Sequence, residues 1–221
     1  MKLLAIDTAL EDCSVAVATP EGVRAAERTV GRGHAELLMP QIAALLDAAG
    51  LGVAGLNRIV VSTGPGSFTG LRVGLAAARG LGLAAAIPVI GVPTLMIHAA
   101  QAVEERQRRG GAPRPVLVMI QARAAEFFAQ LFAADGAPDG ALTVASADAL
   151  AQAVRAAGAD VAGAGAKALG SDFAPLHLRS APSIATLAAL GARLSPEAFP
   201  PVPVYGKPPD AAPARDGIAR L

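Results

Sequence analysis

The sequence predicts an α/β fold in two related halves, each a mixed sheet with helices packed on it. Three observations carry this prediction. Short apolar runs alternate with amphipathic stretches in the order β-β-β-α-β-α-β-α through the first half of the chain. A charged, Gly- and Pro-rich stretch, "ERQRRGGAPRP" at Glu105–Pro115, then interrupts the pattern. Beyond it a hairpin and helix–strand alternation begin again in a shorter version. The expected division is residues 1–104 and 105–221, and 221 residues suffice to bury a core.

The elements follow in order. "KLLAID" is an apolar run ending in Asp7, the pattern of a buried strand. "CSVAVAT" and "GVRAAERTV" flank a Pro20-Glu21-Gly22 turn, which makes a hairpin and completes a three-strand antiparallel meander. In "GHAELLMPQIAALLDAAG", Leu38, Ile42, Leu45, Leu46 and Ala49 share one helical face, and Gly50 supplies the stop. Pro40 suits a first turn, so the regular helix is expected from about Met39. "RIVVST" at Arg58–Thr63 is a fourth strand, followed by a glycine-rich loop and a helix over about Phe68–Ala85. "PVIGV" at Pro88–Val92 is a fifth strand, and a third helix runs from about Thr94 to Arg108. After the linker, "VLVMIQA" and "AEFFAQLFAA" form a hairpin and "SADALAQAVRAAG" a helix capped by Ser146. "ADVAGAGA" is strand and turn, and "SIATLAALGARL" is a further helix. Prolines at 196, 200, 201, 203, 208, 209 and 213 exclude helix and central strand, leaving an extended surface strap or a disordered tail.

Composition removes several functions. A net charge of +1 gives no global field to draw nucleic acid or an anionic membrane. Arg106, Arg108, Arg109 and Arg114 cluster in the linker, but no aromatics interleave with them, so they read as a solvated linker. The single cysteine, Cys13, excludes an intrachain disulfide and fits a reducing cytoplasm; in its strand-like run it reads as a buried small hydrophobe. "MKLLAIDTALED" lacks the pattern of a signal peptide, and the uncharged stretch Gly80–Val103 is divided by Pro88 and Pro93, so no membrane helix is expected. The histidines His34, His98 and His177 show no metal-ligand spacing. Gly66-Ser67-Phe68-Thr69-Gly70 spells Gly-x-Ser-x-Gly, but Gly70 onward reads as helix interior and no His/Asp partners can be assigned. Asp7, at the end of a strand, stands where a metal- or phosphate-handling carboxylate can sit.

The loop "STGPGSFTGLRVG" at 62–74 resembles a phosphate cradle but satisfies neither nucleotide code. No lysine follows it as a Walker loop requires, and Gly64, Gly66 and Gly70 have one residue too many for the dinucleotide fingerprint. A tight turn remains, with Ser67 or Thr69 as helix cap and Ser67, Phe68 and Thr69 as candidates for a weak anion site. Beyond it Gly70, Gly74, Ala78 and Gly82 form a ridge of small residues, with Leu71, Leu75 and Leu83 as a second row. Glycine within a helix costs about 1 kcal/mol against alanine. Such a ridge therefore implies a very close partner, either the protein's own sheet or another helix across an interface.

"LLAIDTA…CSVAV", "H…LLMPQIAALL", "GPGSFTGLRVG" and "PVIGVPTL" closely resemble the TsaB (YeaZ) family over most of residues 2–130, and "PVPVY" resumes the match near the end. The resemblance implies an actin/hexokinase-like (ASKHA) fold of two related lobes. It also implies a role in making threonylcarbamoyladenosine (t6A), the modified base beside the tRNA anticodon. The implied role is not enzymatic: a degenerate relative of the catalytic subunit TsaD that binds TsaD, joins the ATPase TsaE in a ternary complex and forms a homodimer alone. It would meet tRNA through the complex, in the cytoplasm and away from membranes.

The catalytic relative carries Asn-His-x-x-Gly-His after Gly-Val. Here "GVPTLMIH", Gly91–His98, has Thr94 at the first histidine and keeps only His98. "DTALEDCS" lacks the glycines of a nucleotide-binding hairpin. No intrinsic metal or cofactor is expected, beyond a weak nucleotide or anion at a partner interface. The implied association surface is the first two helices, residues 34–49 and 68–85, with Leu38, Ile42, Leu45, Gly70, Leu71, Gly74, Leu75 and Ala78 as its candidates; it favours the interface reading of the ridge. The second lobe departs from the family in having Gln121 for an aspartate, although Arg123 and Glu126 match, and Tyr205-Gly206-Lys207 stands for Tyr-Leu-Arg. The competing functions are an ATP-dependent small-molecule kinase of the same fold and a peptidase.

Overall fold

Leu4 and Ile6 of strand β1 (Leu3–Asp7) point into one layer of helices and Leu3 and Ala5 into another, so the strand is buried along its whole length. The computed structural model describes residues 1–31 and 33–206. β1 is the centre of a five-stranded sheet. It pairs antiparallel with β2 (Asp12–Thr19), which pairs antiparallel with β3 (Gly22–Thr29), and parallel with β4 (Arg58–Ser62), which pairs parallel with β5 (Val89–Val92). Helices α1 (His34–Ala48) and α2 (Phe68–Ala85) cover one face, through Leu38, Ile42, Leu46, Leu75 and Ala78.

α3 (Thr94–Arg108) lies between this sheet and a second one. Its Ile97 joins the core of the first sheet, while Leu95, Ala99 and Ala102 join Val116, Val118 and Phe132 of the second. The second sheet has the order β8 (Thr143–Ser146), β7 (Glu126–Phe132), β6 (Val116–Arg123), β9 (Asp160–Ala162), with α4 (Ala147–Ala157) on its far face. Strand for strand this repeats the first sheet without its fifth member. The central strand is antiparallel to the strand after it and parallel to the next that follows a helix. This duplicated order is that of the two related lobes of the actin/hexokinase-like fold.

α5 (Ile184–Arg193) comes late in the chain yet packs on the first sheet, where Ile184 and Leu187 meet Leu3, Val60 and Ile90. Arg58 of β4 donates to the carbonyls of Gly191 and Leu194 at 2.9 and 3.0 Å, satisfying groups that the end of α5 leaves open.

Two expectations are corrected. α1 starts at His34 rather than near Met39 and carries Pro40 inside it. Burial of His34 and Leu38 in the first turns outweighs the backbone hydrogen bond that the proline forgoes. β8 was not anticipated; its four residues are too few to show alternation, and pairing with β7 defines it. Residues 199–206 form no helix or strand and lie along β5 and the glycine-rich loop: Gly91 N–H donates to the Phe199 carbonyl at 2.9 Å and Val204 N–H to the Thr63 carbonyl at 2.7 Å. Lys207 and the later part of the proline-rich tail lie outside the described residues.

Candidate functional site

The loop between β4 and α2 is held from three sides. Ser67 N–H donates to the Ala9 carbonyl at 2.7 Å, Thr94 N–H to the Gly64 carbonyl at 2.7 Å, and the Thr63 carbonyl receives Val204 N–H. Gly64 adopts φ 100°, and a Cβ there would lie 2.6 Å from the Val204 carbonyl oxygen, so both conformation and space demand glycine. Ser67 is the helix cap, its Oγ accepting from Gly70 N–H at 3.3 Å. The result is a rigid turn that fixes where α2 begins.

The three anion-site candidates take different roles. Ser67 and Thr69 line a cleft of about 520 Å³ between the starts of α1 and α2, together with Gly31, Gly33, His34, Ala35 and Glu36. The Ser67 amide is already engaged by Ala9, which removes it as an anion donor. Phe68 turns its ring elsewhere, between the Arg72 guanidinium at 3.8 Å and the Tyr205 ring at 5.1 Å.

The small-residue ridge faces inward, which corrects its assignment as a contact surface. A Cβ on Gly70 would collide with the Thr8 carbonyl, one on Gly74 with Thr8 Oγ1, and one on Gly82 with the Val89 side chain. Thr8 Oγ1 in turn donates to the Gly70 carbonyl at 2.7 Å. Leu38, Ile42, Leu71, Leu75 and Ala78 are buried, and Leu45 is half-buried against the same core. All eight candidate interface residues thus contribute inward packing, and on α2 Gly70 and Gly74 sit where Thr8 comes closer than a side chain would allow.

What α1 and α2 turn outward is different. Met39, Ala43 and Ala44 of α1 and Ala76, Gly80 and Leu83 of α2 are exposed, alongside the charged Glu36 and Asp47 of α1 and Arg72 and Arg79 of α2. Leu83 is 86% exposed and Met39 46%. The spacing reading singled out Leu83 only as part of a second row beside the ridge; the exposed residues fall on the opposite face and show no signal until the buried face is known.

Burial shifts several titratable groups of the interior. Burial pushes the Asp7 carboxyl above the usual range, opposed by the Ser62 hydroxyl and the Ala9 amide, which both donate to it. Burial, with Asp7 nearby, pushes the Cys13 thiol up to about 11, and that thiol donates to Gln41 Oε1 at 3.1 Å. Cys13 is therefore the buried small hydrophobe its strand pattern indicated. His98 stacks on His177 with ring centres 5.4 Å apart. Burial first, then the neighbouring His177 and Arg179, push His98 down to about 3, so both rings stay neutral near pH ~7. Among the described residues no group of three or more His, Cys, Asp or Glu could hold a metal ion, and no helix is long and apolar enough to cross a membrane.

Comparison with known proteins now bears on this architecture. The sequence profile described as "TsaD: tRNA N6-adenosine threonylcarbamoyltransferase" matches residues 22–174. A crystal structure of a Pseudomonas aeruginosa protein with similarity to the peptidase YeaZ superposes with a TM-score of 0.76 at 29% identity, covering 93% of this chain and 99% of that one. The chain belongs to the TsaB (YeaZ) family. The YeaZ structure from the same organism gives a TM-score of 0.70 at 28% identity, covering 92% and 99%. The tRNA threonylcarbamoyladenosine biosynthesis protein TsaB of Escherichia coli is 41% identical over 128 residues, 58% of this chain and 53% of that protein. An uncharacterized protein of Mycobacterium tuberculosis is 36% identical over 215 residues, 96% of this chain and 94% of that one. The chain thus spans about half the length of the TsaB relatives it matches and nearly all of the mycobacterial one.

Proposed function

We propose that this chain is the non-catalytic partner subunit of the t6A machinery. In this reading it binds a TsaD-type catalytic subunit through its N-terminal lobe, residues 1–104, joins a TsaE-type ATPase in a ternary complex in the cytoplasm, and forms a homodimer when alone. The tRNA is reached through the complex. The observation that carries the reading is the outward face of α1 and α2. Met39, Ala43 and Ala44 of α1 and Ala76, Gly80 and Leu83 of α2 are exposed on the side away from the sheet, among the exposed charges Glu36, Asp47, Arg72 and Arg79. Single exposed apolar residues need no explanation, but several on two packed helices, with charges among them, fit a protein contact.

Other features support it. The relatives named TsaB are t6A biosynthesis proteins. The position of the first metal-binding histidine of the catalytic relative is Thr94, and His98 is sealed against His177 with no access to substrate. In this reading the chain supplies shape rather than reacting groups, and an anion at the cleft beside Ser67 and Thr69 would be shared with the partner. The kinase and peptidase readings lack a feature of the structure that favours them.

The test is reconstitution. TsaD-type and TsaE-type proteins are incubated with unmodified tRNA, a preformed activated threonylcarbamoyl donor and ATP, with and without this chain. t6A formation is expected only when the chain is present. Full activity in its absence would refute the reading.

A further inference from the structure

Phe68 is in contact with both Arg72 and Tyr205 at the surface. The Arg72 guanidinium lies 3.8 Å from the centre of the Phe68 ring, and Tyr205 packs on Phe68 with centres 5.1 Å apart and the rings tilted by 42°. Tyr205 is nevertheless 41% exposed. Its position is fixed on either side: Val204 N–H donates to Thr63, and Gly206 lies against the Phe128 ring so closely that a Cβ would collide with it. The tyrosine therefore presents a face to solvent with little rotamer freedom left to lose on binding.

Charge narrows the partner. Residues 51–103, which include the whole of α2, contain Arg58, Arg72 and Arg79 and no acidic residue, and the 198–206 segment that carries Tyr205 contains none either. Glu36 lines the neighbouring cleft, with Ser67 and Thr69. Arg79 holds the Pro201 carbonyl, which keeps the segment beside α2. A fixed aromatic face, a planar cation beside it and the absence of acids from α2 and from residues 198–206 suit a ligand with flat, polarisable groups strung on negative charge. Stacking on aromatics and guanidinium planes with backbone neutralisation is how unpaired bases are held.

We propose that the Arg72–Phe68–Tyr205 stack is a platform for an unpaired base of single-stranded RNA. The choice of RNA over DNA rests on the t6A reading; the stacking itself does not. The platform lies at the start of α2, away from Leu83 near the helix's other end, so this chain contacts RNA directly as well as binding a protein.

The experiment titrates the full chain into a short fluorescein-labelled single-stranded oligoribonucleotide and reads anisotropy, with the unlabelled duplex of the same sequence as competitor. Tyr205→Ala is expected to weaken binding about tenfold, the loss of one stacked base. Tyr205→Phe, which keeps the ring, retains it. Arg72→Ala weakens binding and lowers the salt slope by about one. The duplex competes poorly. No binding by the unsubstituted chain, an effective duplex competitor, or unchanged affinity for Tyr205→Ala at native thermal stability would each overturn the proposal. So would a Tyr205→Ala chain that keeps its RNA affinity but binds the TsaD-type partner less well, since the patch would then be a protein contact. These failures leave partner association through the outer face untouched, so they are separate from a failure of the scaffold reading.

Discussion

Gly70 and Gly80 sit on the same helix and carry opposite expectations. Gly70 meets the Thr8 carbonyl, so Gly70→Ala must push α2 away from β1 and should cost about 1–3 kcal/mol. Gly80 has no neighbour within 4 Å of an added Cβ, so Gly80→Ala should stabilise the fold by roughly 0.5–1 kcal/mol. Denaturant unfolding of the two variants checks both signs. His98 gives a pH dependence. Its folded value lies below its unfolded one, so the unfolded chain binds the proton first and stability falls as pH drops from 6.5 toward about 3. The loss on this group should reach on the order of 2 kcal/mol near pH ~5, with His177, also pushed down by burial, adding in the same direction. Midpoints measured against pH should show this slope, and His98→Gln should flatten it. Sequence spacing revealed that Gly70, Gly74, Ala78 and Gly82 share a face. It carried no address for what that face meets; only the register of β1 against α2, through Thr8, decides it.

At the scale of the element, α2 and α3 were legible to the residue because local chemistry marks their starts. Ser67 caps α2, and Pro93 immediately precedes α3. Ser67→Ala should therefore cost about 1 kcal/mol. α1 was misread because Pro40 is a local signal, whereas the burial of His34 and Leu38 that extends the helix past it is a tertiary one. The stack of Tyr205 on Phe68 was likewise invisible, since it joins residues far apart in the chain through a segment with no secondary structure. On α2 the two faces make separable predictions. A charge at Ala78, fully buried, should unfold the protein. Ala76→Glu, on the exposed side, should leave unfolding within about 0.5 kcal/mol of wild type.

At the scale of the molecule, the duplicated strand order explains how a chain of this length makes two sheets. The first half was readable as a β-β-β-α-β-α-β-α series because four strands are distinct apolar runs and the Pro20-Glu21-Gly22 turn marks the polar β3. The second half repeats it in abbreviated form; β9 falls within the strand read in "ADVAGAGA", while the short β8 registers only through pairing with β7. The return of α5 to the first sheet could not be foreseen, because periodicity reports that Ile184, Leu187 and Leu190 share a face but not which sheet receives it. With both faces of that sheet covered, the outer side of α1 and α2 remains, with Met39 and Leu83 exposed on it. The account rests on that surface being a protein contact. Light scattering after size exclusion, on the chain mixed with a TsaD-type subunit, tests this most directly when wild type and Leu83→Glu are run side by side. The account predicts a heterodimer for wild type, and separate subunits for a Leu83→Glu chain that still unfolds at the wild-type temperature. A Leu83→Glu chain that pairs with undiminished affinity would contradict it.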